Sequence, residues 1–476
     1  MTTDRPRTPD QLLEGPPVLT TTATATVTVT DPLPGKRRNE PIVFTVPGAY
    51  PGDLWAARTS AGELVPCQKL RTQTSEDQTA FVTVLSFEGT VDLELLGAWE
   101  GPADGITELN PREEDAFARL DTGYFDLELC TGTAKGTGSS KWGLRHFAAK
   151  HEGIDLLPSG NNAIGGFYGP FFTPENGLIN PPEHTTVQVE VIEKGPVLHH
   201  YRMHGTVPDG LLDELRDKSF TIDWKFTHGT PYFERRYQVD AFQTVVNGRS
   251  VTDKITVGDE FEGGQGELVF DRFEAYQGTQ FRAGDPYAEE LVKMVSETIE
   301  TSASTTEKFA EFRHHLTAGM ESAHWDLYWR LFCAWERVLD EDEIRDRLAR
   351  VRAASHVRAD LPERPWVITD APVDVSAASD ETIFPGAASK TVEFHSRTGR
   401  AMVWWTGQPS GAFQIVQRRQ SGWVNWGSNG ENECPELPVG TPIKTAYGHF
   451  VPTWRHVADQ LEQPPTVTVT THPNHA

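Results

Sequence analysis

The stretch that decides the class of fold is TTTATATVTVT, residues 20–30, in which small or β-branched residues alternate over eleven positions. A period of two residues is typical of a strand with one buried face. Shorter runs of the same kind follow at IVFTV (42–46), LVPCQKL (64–70), TAFVTVLSF (79–87) and TVDLELLGAW (90–99), separated by turns rich in Gly, Pro and Asp. They predict a small β-sandwich over residues 18–100, preceded by a polar, Pro-rich and disordered tail over residues 1–17.

The remaining chain is predicted to be mainly β, with one helical interruption. GPADGITELNPREED (101–115) is polar and indicates a linker, and longer alternating strands fill residues 116–300. From Trp325 to Leu339 apolar residues recur at helical spacing, which predicts a short helical insertion near 306–355 within a segment 301–360. Residues 361–476 are predicted to be β again and to complete the central sandwich. PTVTVTTH (465–472) mirrors the N-terminal repeat, but composition leaves the pairing of the two ends open.

Charge and cysteine usage limit the classes of partner. The chain has 476 residues, 68 acidic against 43 basic, and a formal net charge of −25, which disfavours nucleic acid and anionic membranes as partners. Its four cysteines form no metal-ligating spacing, so we expect no metal and free thiols in a reducing compartment. The N-terminus lacks an apolar signal region, and the composition suits a bacterial protein. We therefore expect a cytoplasmic protein.

Several motifs resemble a known family. NEPIVFTVPG (39–48), ARTSAGELVPCQ (57–68) and ARLDTGYFDLELC (118–130) resemble the C-terminal β region of retaining α-mannosidases, and VEVIEKGPVLHHYRM (189–203) resembles a strand pair of the same region. The resemblance covers about residues 35–275. It implies a galactose-mutarotase-like β-super-sandwich at the centre of the chain. Similar super-sandwiches occur in aldose epimerases and polysaccharide lyases, whereas the zinc-binding catalytic domain of the mannosidases has no counterpart here, so neither zinc nor mannosidase activity is carried over.

The segment 141–184 is the first candidate site, because it is long, irregular and rich in aromatic residues. Aromatic faces beside amides, imidazoles and a guanidinium suit a sugar-binding cleft. The alternative is a loop whose aromatic residues are core. A β-elimination needs a base and a group that stabilises the enolate; the catalytic candidates in this segment are Arg145, His146, Tyr168, Glu175 and His184. The substrate-binding candidates in this segment are Trp142, Asn161, Asn162, Phe167 and Asn176.

Two further places supply candidates. In LHHYRMHG (198–205), alternation puts Tyr201 and Arg202 on opposite faces of a strand, and either a catalytic cleft or a polar outer sheet face explains them. Trp405 and Trp423 belong to an aromatic cluster that is either a sugar-stacking platform or the core of a last sandwich.

These observations predict a carbohydrate-active protein without a cofactor. A lyase that cleaves a glycoside or a uronic-acid-containing oligosaccharide by β-elimination is favoured over a hydrolase, since the candidate segment is richer in His, Tyr, Arg and Asn than in carboxylates. The alternatives are a hydrolase or an aldose-epimerase-like enzyme on the same scaffold, and a non-catalytic carbohydrate-binding protein. A homo-oligomer is left open. For the lyase, Arg145→Ala and His146→Ala should abolish turnover with little change in melting temperature.

Overall fold

A computed structural model of the chain describes a defined set of residues. They are residues 23–100, 103–109, 117–130, 143–151, 156–157, 164–168, 186–207, 218–239, 244–246, 249–251, 254–262, 272–275, 279–280, 381–386, 390–394, 399–406, 413–418, 423–428, 437–449 and 454–472. The predicted tail (1–17) and the predicted helical insertion near 306–355 lie outside the described residues.

The described chain is mainly β, as the alternating sequence predicts. Its strands in the first half are β1 (Ala25–Thr30), β2 (Lys36–Pro47), β3 (Leu54–Thr59), β4 (Leu64–Leu70), β5 (Gln78–Glu88), β6 (Thr90–Ala98), β7 (Thr107–Glu108), β8 (Phe117–Asp121), β9 (Phe125–Cys130), β10 (Leu144–Ala149), β11 (Ile164–Tyr168), β12 (Thr186–Lys194), β13 (Leu198–Val207), β14 (Lys218–Thr227) and β15 (Tyr232–Val239).

A second series of strands and one helix complete the described elements. They are β16 (Thr244–Val246), β17 (Arg249–Val251), β18 (Lys254–Glu262), β19 (Arg272–Ala275), β20 (Thr279–Gln280), β21 (Glu381–Gly386), β22 (Lys390–Phe394), β23 (Ala401–Thr406), β24 (Phe413–Arg418), β25 (Trp423–Ser428), β26 (Leu437–Pro438), β27 (Pro442–Gly448), α1 (Trp454–Glu462) and β28 (Thr466–Thr471). Among the described residues, no helix has the length and apolar content needed to cross a membrane.

The described strands form three large antiparallel sheets and one small ribbon. The first sheet has the order β2-β5-β4-β3-β6-β1-β28, and the second has the order β21-β24-β25-β18-β11-β10-β9-β8-β7, with β26 beside β18. The third sheet has the order β12-β13-β14-β15-β27-β23-β22-β19-β20, and the ribbon is β16-β17. Neighbouring strands are often far apart in sequence, so the second half of the chain is required to complete all three large sheets.

The first sheet curls until its edge strands β2 and β28 contact each other. Its concave side holds a core of alternating side chains, among them Val27, Phe44, Trp55, Phe81 and Leu93, and Cys67 is buried there as a free thiol. The alternation read from residues 20–30 appears directly in β1, where every second residue is buried. This core explains why these residues form strands.

The C-terminal end of the chain belongs to this first sheet. Strand β28 pairs with β1 in antiparallel register from Thr466↔Thr30 to Thr471↔Ala25. Helix α1 leads into it, and the buried guanidinium of Arg37 donates to the backbone carbonyls of Gln460 and Gln463 at the helix end. The first and last described strands are therefore adjacent.

The second and third sheets pack face to face as a sandwich. Phe125 and Phe147 of the second sheet contact Phe233 of the third sheet at ring-centroid distances of 6.5 and 5.7 Å, and Phe147 also contacts Tyr447. Aromatic pairs at these distances are favourable in edge-to-face arrangement. They lie between the two sheets, which is the sandwich that the sequence predicts for the centre of the chain.

Candidate functional site

A cleft of about 440 Å³ opens where the first sheet meets the hairpin turns of the third sheet, and we call it the junction cleft. Its size is within the range of small-molecule sites. Its described lining residues are Asn39, Leu64, Pro66, Val84, Trp99, Ala103, Asp104, Val197, His228 and Gly229. These residues come from separate segments, so the cleft exists only because the sheets are docked.

Hydrogen bonds across the junction hold the two sides of the cleft in place. The Gln68 side chain accepts from the backbone N–H groups of Val197 and Leu198 at 3.0 and 2.8 Å, and it donates to the Leu198 carbonyl at 3.0 Å. Gln68 is on β4, whereas the other two residues follow the β12–β13 turn. All three groups are buried, so these bonds satisfy backbone groups that would otherwise lose their partners.

Asn39 is placed at the cleft by an irregularity in β2. The register between β2 and β5 shifts between Arg37 and Glu40, and Asn39 has a positive φ of 47°, which asparagine tolerates better than most residues. Its Nδ2 donates to the Gly229 carbonyl at 2.7 Å and its Oδ1 accepts from Ser86 Oγ at 3.0 Å. The amide is thereby fixed in orientation before any ligand arrives.

Asp104 reaches the cleft on the segment that joins the first sheet to the second. The Ile106 N–H donates to the Pro196 carbonyl at 3.0 Å. Gly105 lies so close to Pro196 that an added Cβ would be 2.5 Å from its backbone, which explains the absence of a side chain there. Within the predicted linker 101–115, residues 107–108 form β7 of the second sheet.

The electrostatics of the junction cleft suit an uncharged ligand. Burial lowers the pKa of His228, against the opposing charges of Asp104 and Asp121, so the imidazole is neutral at neutral pH. The described lining residues include Asp104 but neither lysine nor arginine. A ligand carboxylate would therefore meet a negative group without a cation on the cleft wall.

Trp99 adds an aromatic surface and an unsatisfied indole N–H donor. The residue is partly exposed and lines the cleft, while its indole nitrogen is buried and has no hydrogen-bond partner among the described residues. With Leu64, Pro66 and Val84 it supplies the apolar part of the described lining. Apolar walls with a few fixed polar groups are typical of small-molecule sites.

Ten of the residues predicted from sequence cannot be placed by their side chains. Trp142, Asn161, Asn162, Glu175, Asn176 and His184 lie outside the described residues. Arg145, Phe167, Tyr168 and Trp423 are in strands of which the structure describes the backbone. The candidate segment 141–184 thus stays a prediction.

His146 lies beside an ion pair on β8–β10. Its Nε2 is 3.8 Å from Asp126 Oδ1, and Arg119 donates two hydrogen bonds to the same carboxylate at 3.0 and 2.7 Å. The next residue, Phe147, is in the sandwich core. His146 is therefore near a carboxylate that is already paired, and it is separate from the junction cleft.

Tyr201 belongs to a set of linked polar side chains that runs from the buried His199 to the exposed Lys194. Its hydroxyl donates to Glu108 Oε1 at 3.1 Å and lies 2.8 Å from His199 Nδ1, while Lys194 donates to Glu108 Oε2 at 2.8 Å. Burial lowers the pKa of His199 to about 4, and burial together with Glu108 raises the pKa of Tyr201. These hydrogen bonds join β7 to β13, and Tyr201 is only 1% exposed.

Arg202 and Trp405 are not among the described residues that line the junction cleft. Arg202 donates to Asp223 at 2.8 Å on the opposite face of β13, and His200 lies 3.0 Å from the same Asp223 oxygen. Trp405 donates to Glu462 on α1. Each side chain already has a protein partner, and the described geometry does not bring Tyr201, Arg202 and Trp405 together. Within the described chain, no group of three or more His, Cys, Asp or Glu side chains could hold a metal ion.

Sequence reasoning missed the polar residues of the junction cleft, namely Asn39, Trp99, Asp104 and His228. Trp99 lies at the end of the predicted strand 90–99, and Asp104 lies in the predicted linker 101–115. The signals that could have found them are weak: an aromatic residue directly before a polar linker at Trp99, and a His-Gly turn at His228.

No protein-family model and no curated protein matches the chain. An alpha-mannosidase from Enterococcus faecalis V583 is similar in structure, with 9% identity and a TM-score of 0.43 over 95% of this chain and 47% of that chain. A protein in the Glycosyl Hydrolase Family 38 from Enterococcus faecalis is similar at 10% identity and a TM-score of 0.44, over 95% of this chain and 48% of that chain. The chain spans about half the length of the solved structures it matches.

Proposed function

We propose that this protein binds a neutral carbohydrate in the junction cleft. The observation that carries the proposal is the convergence of Trp99, Asn39, Asp104 and His228 on one cleft whose described lining has no lysine or arginine. An indole face contacts the C–H groups of a sugar ring, while amide, imidazole and carboxylate groups accept from and donate to its hydroxyls. A neutral ligand also agrees with the net charge of −25.

A binding role is favoured over catalysis within this cleft. A hydrolase of the usual kind needs two carboxyl groups beside the scissile bond, and the described lining supplies Asp104. β-Elimination on a uronate needs a cation or an equivalent donor near the carboxylate. Lyase activity stays a prediction for the segment 141–184. The cytoplasmic location and the absence of a cofactor stay predictions for the whole protein.

The test is calorimetric titration of the full-length protein with a panel of neutral and uronic-acid-containing oligosaccharides. Trp99→Ala should weaken binding of the best neutral ligand by roughly 30-fold, since truncating a tryptophan at a binding hot spot costs about 2 kcal/mol or more. Val43→Ala is the matched control, because Val43 is 45% exposed on the first sheet and outside the cleft lining. Equal affinity of Trp99→Ala and wild type would refute the site.

The same panel distinguishes the alternatives. Absorbance of an unsaturated uronate product would establish the lyase, and new reducing ends without that absorbance would establish a hydrolase. Binding without either product is the result expected for a carbohydrate-binding protein.

A further inference from the structure

The interior of the sandwich contains a buried ion pair that joins its two sheets. Arg235 on β15 donates two hydrogen bonds to Asp259 on β18, one of them at 2.7 Å, and both side chains are 0% exposed. The Trp404 indole donates to Asp259 Oδ2 at 3.1 Å. The charges of the guanidinium and the carboxylate cancel, and Asp259 accepts three described hydrogen bonds.

Polar groups around this pair are less well satisfied. Within the described part of the chain, Trp224 Nε1, Arg235 Nε and Thr445 Oγ1 are buried and have no hydrogen-bond partner. The residues that carry them are all 0% exposed. Buried donors without partners are rare in folded proteins because each loses its hydrogen bond to water. Three such atoms around one ion pair need a common explanation.

The positions of the three residues indicate one internal site. Trp224 and Arg235 are register partners on β14 and β15, and Arg235 Cζ lies 5.9 Å from the Trp224 ring centroid. Thr445 on β27 pairs with Trp404, which itself donates to Asp259. The unmet groups thus line the same inner face of the third sheet, next to the Arg235–Asp259 pair.

We infer that this inner face holds ordered water that accepts hydrogen bonds from Trp224 and Arg235 and exchanges one with Thr445. The occupant must accept, since an indole N–H and a guanidinium N–H only donate. It must also be neutral, because the ion pair is balanced and an added anion would place an uncompensated charge in the interior. Buried waters with two or more polar partners are a regular part of globular proteins.

A crystal structure of the full-length protein at a resolution that shows ordered water is the direct test. We expect a density peak within hydrogen-bond distance of at least two of the three atoms. A dry interior at that resolution would overturn the inference. So would an anomalous peak at this position after bromide soaking, because it would identify an anion site.

Thr445→Val provides an independent measurement, because it removes the hydroxyl with little change of shape. If water is bound to Thr445, the melting temperature should fall by about 2–4 °C. If the hydroxyl is unsolvated, its removal should leave the melting temperature unchanged or raise it, which would contradict the inference. Thr83→Val is the matched control, since Thr83 is equally buried and donates to the Pro66 carbonyl at 2.8 Å; its melting temperature should also fall.

Discussion

Replacement of Arg37 by methionine is the perturbation whose effect the structure predicts most fully. The Arg37 side chain is 0% exposed, and it donates to Asp31 from Nε at 2.8 Å and from NH2 at 2.7 Å. It also donates to the carbonyls of Gln460 and Gln463 at 3.2 and 2.6 Å. One side chain therefore connects the first sheet to the end of α1, from which β28 continues.

The expected loss follows from what Arg37→Met leaves behind. Asp31 would remain buried without its partner, and the buried Glu40 would lose its ion pair to Arg37 at 3.4 Å. Removing one member of a buried ion pair costs about 3–5 kcal/mol. A loss of about 4 kcal/mol corresponds to roughly 1,000-fold faster opening of the segment that contains α1 and β28. Hydrogen exchange followed by mass spectrometry on peptides from residues 454–472 measures this opening directly.

Two further variants make the reasoning refutable. Arg71→Met removes an ion pair to Asp53 in which both side chains are mostly exposed, so exchange of the C-terminal peptides should be almost unchanged. Asp31→Leu combined with Arg37→Met removes the charges of the Arg37–Asp31 pair and should restore part of the lost protection. The recovery should be partial because Glu40, 3.4 Å from Arg37 in the wild type, stays without its partner. Exchange of Arg37→Met at the wild-type rate would contradict the prediction, as would lower protection of the double variant than of Arg37→Met alone.

Two other predictions concern the buried side chains of His199 and Gln68. The pKa of His199 is lowered to about 4 from an ordinary 6.5, so the unfolded state takes up a proton at a higher pH than the folded state does. The stability that the neutral imidazole provides is therefore fully present above pH 6.5 and is lost as the pH falls to 4. Chemical unfolding of His199→Phe should therefore show about 3 kcal/mol less acid destabilisation over that range than wild type. His204→Phe is the control, because the His204 side chain is half-exposed. Parallel pH profiles for wild type and His199→Phe would contradict the prediction. Gln68→Leu should lower the free energy of unfolding by about 2–4 kcal/mol, because it leaves the buried N–H groups of Val197 and Leu198 without their acceptor. Gln68→Glu keeps the accepting oxygen and should lower the free energy of unfolding by less. An unchanged urea midpoint for Gln68→Leu would refute the role of these hydrogen bonds.

Local sequence patterns are sufficient for much of the first sheet. The predicted run 64–70 coincides with β4, and the runs 42–46 and 79–87 lie within β2 and β5. These strands are recognisable because one face of each is buried, which leaves a period of two residues in the sequence. The mainly β class is confirmed for the same reason.

The junction cleft could not be predicted in this way. Asn39, Trp99, Asp104 and His228 are separated by up to 189 positions, and each is at an irregular point where periodicity carries no information. Their proximity depends on how the β12–β13 and β14–β15 turns dock on the first sheet. That docking rests on side-chain bonds such as Gln68 to Leu198, 130 residues apart.

The TTTATATVTVT repeat by itself determined that residues 25–30 form a strand with a valine face and a threonine face, because side-chain alternation is a local property of an extended chain. It did not determine the neighbours of that strand, since a repeat of Thr and Val is compatible with many partners and registers. Only the tertiary structure placed β28 beside β1, through the packing of α1 and the buried contacts of Arg37. Pairing over more than 400 residues is decided by long-range burial and hydrogen bonding, which no local pattern records.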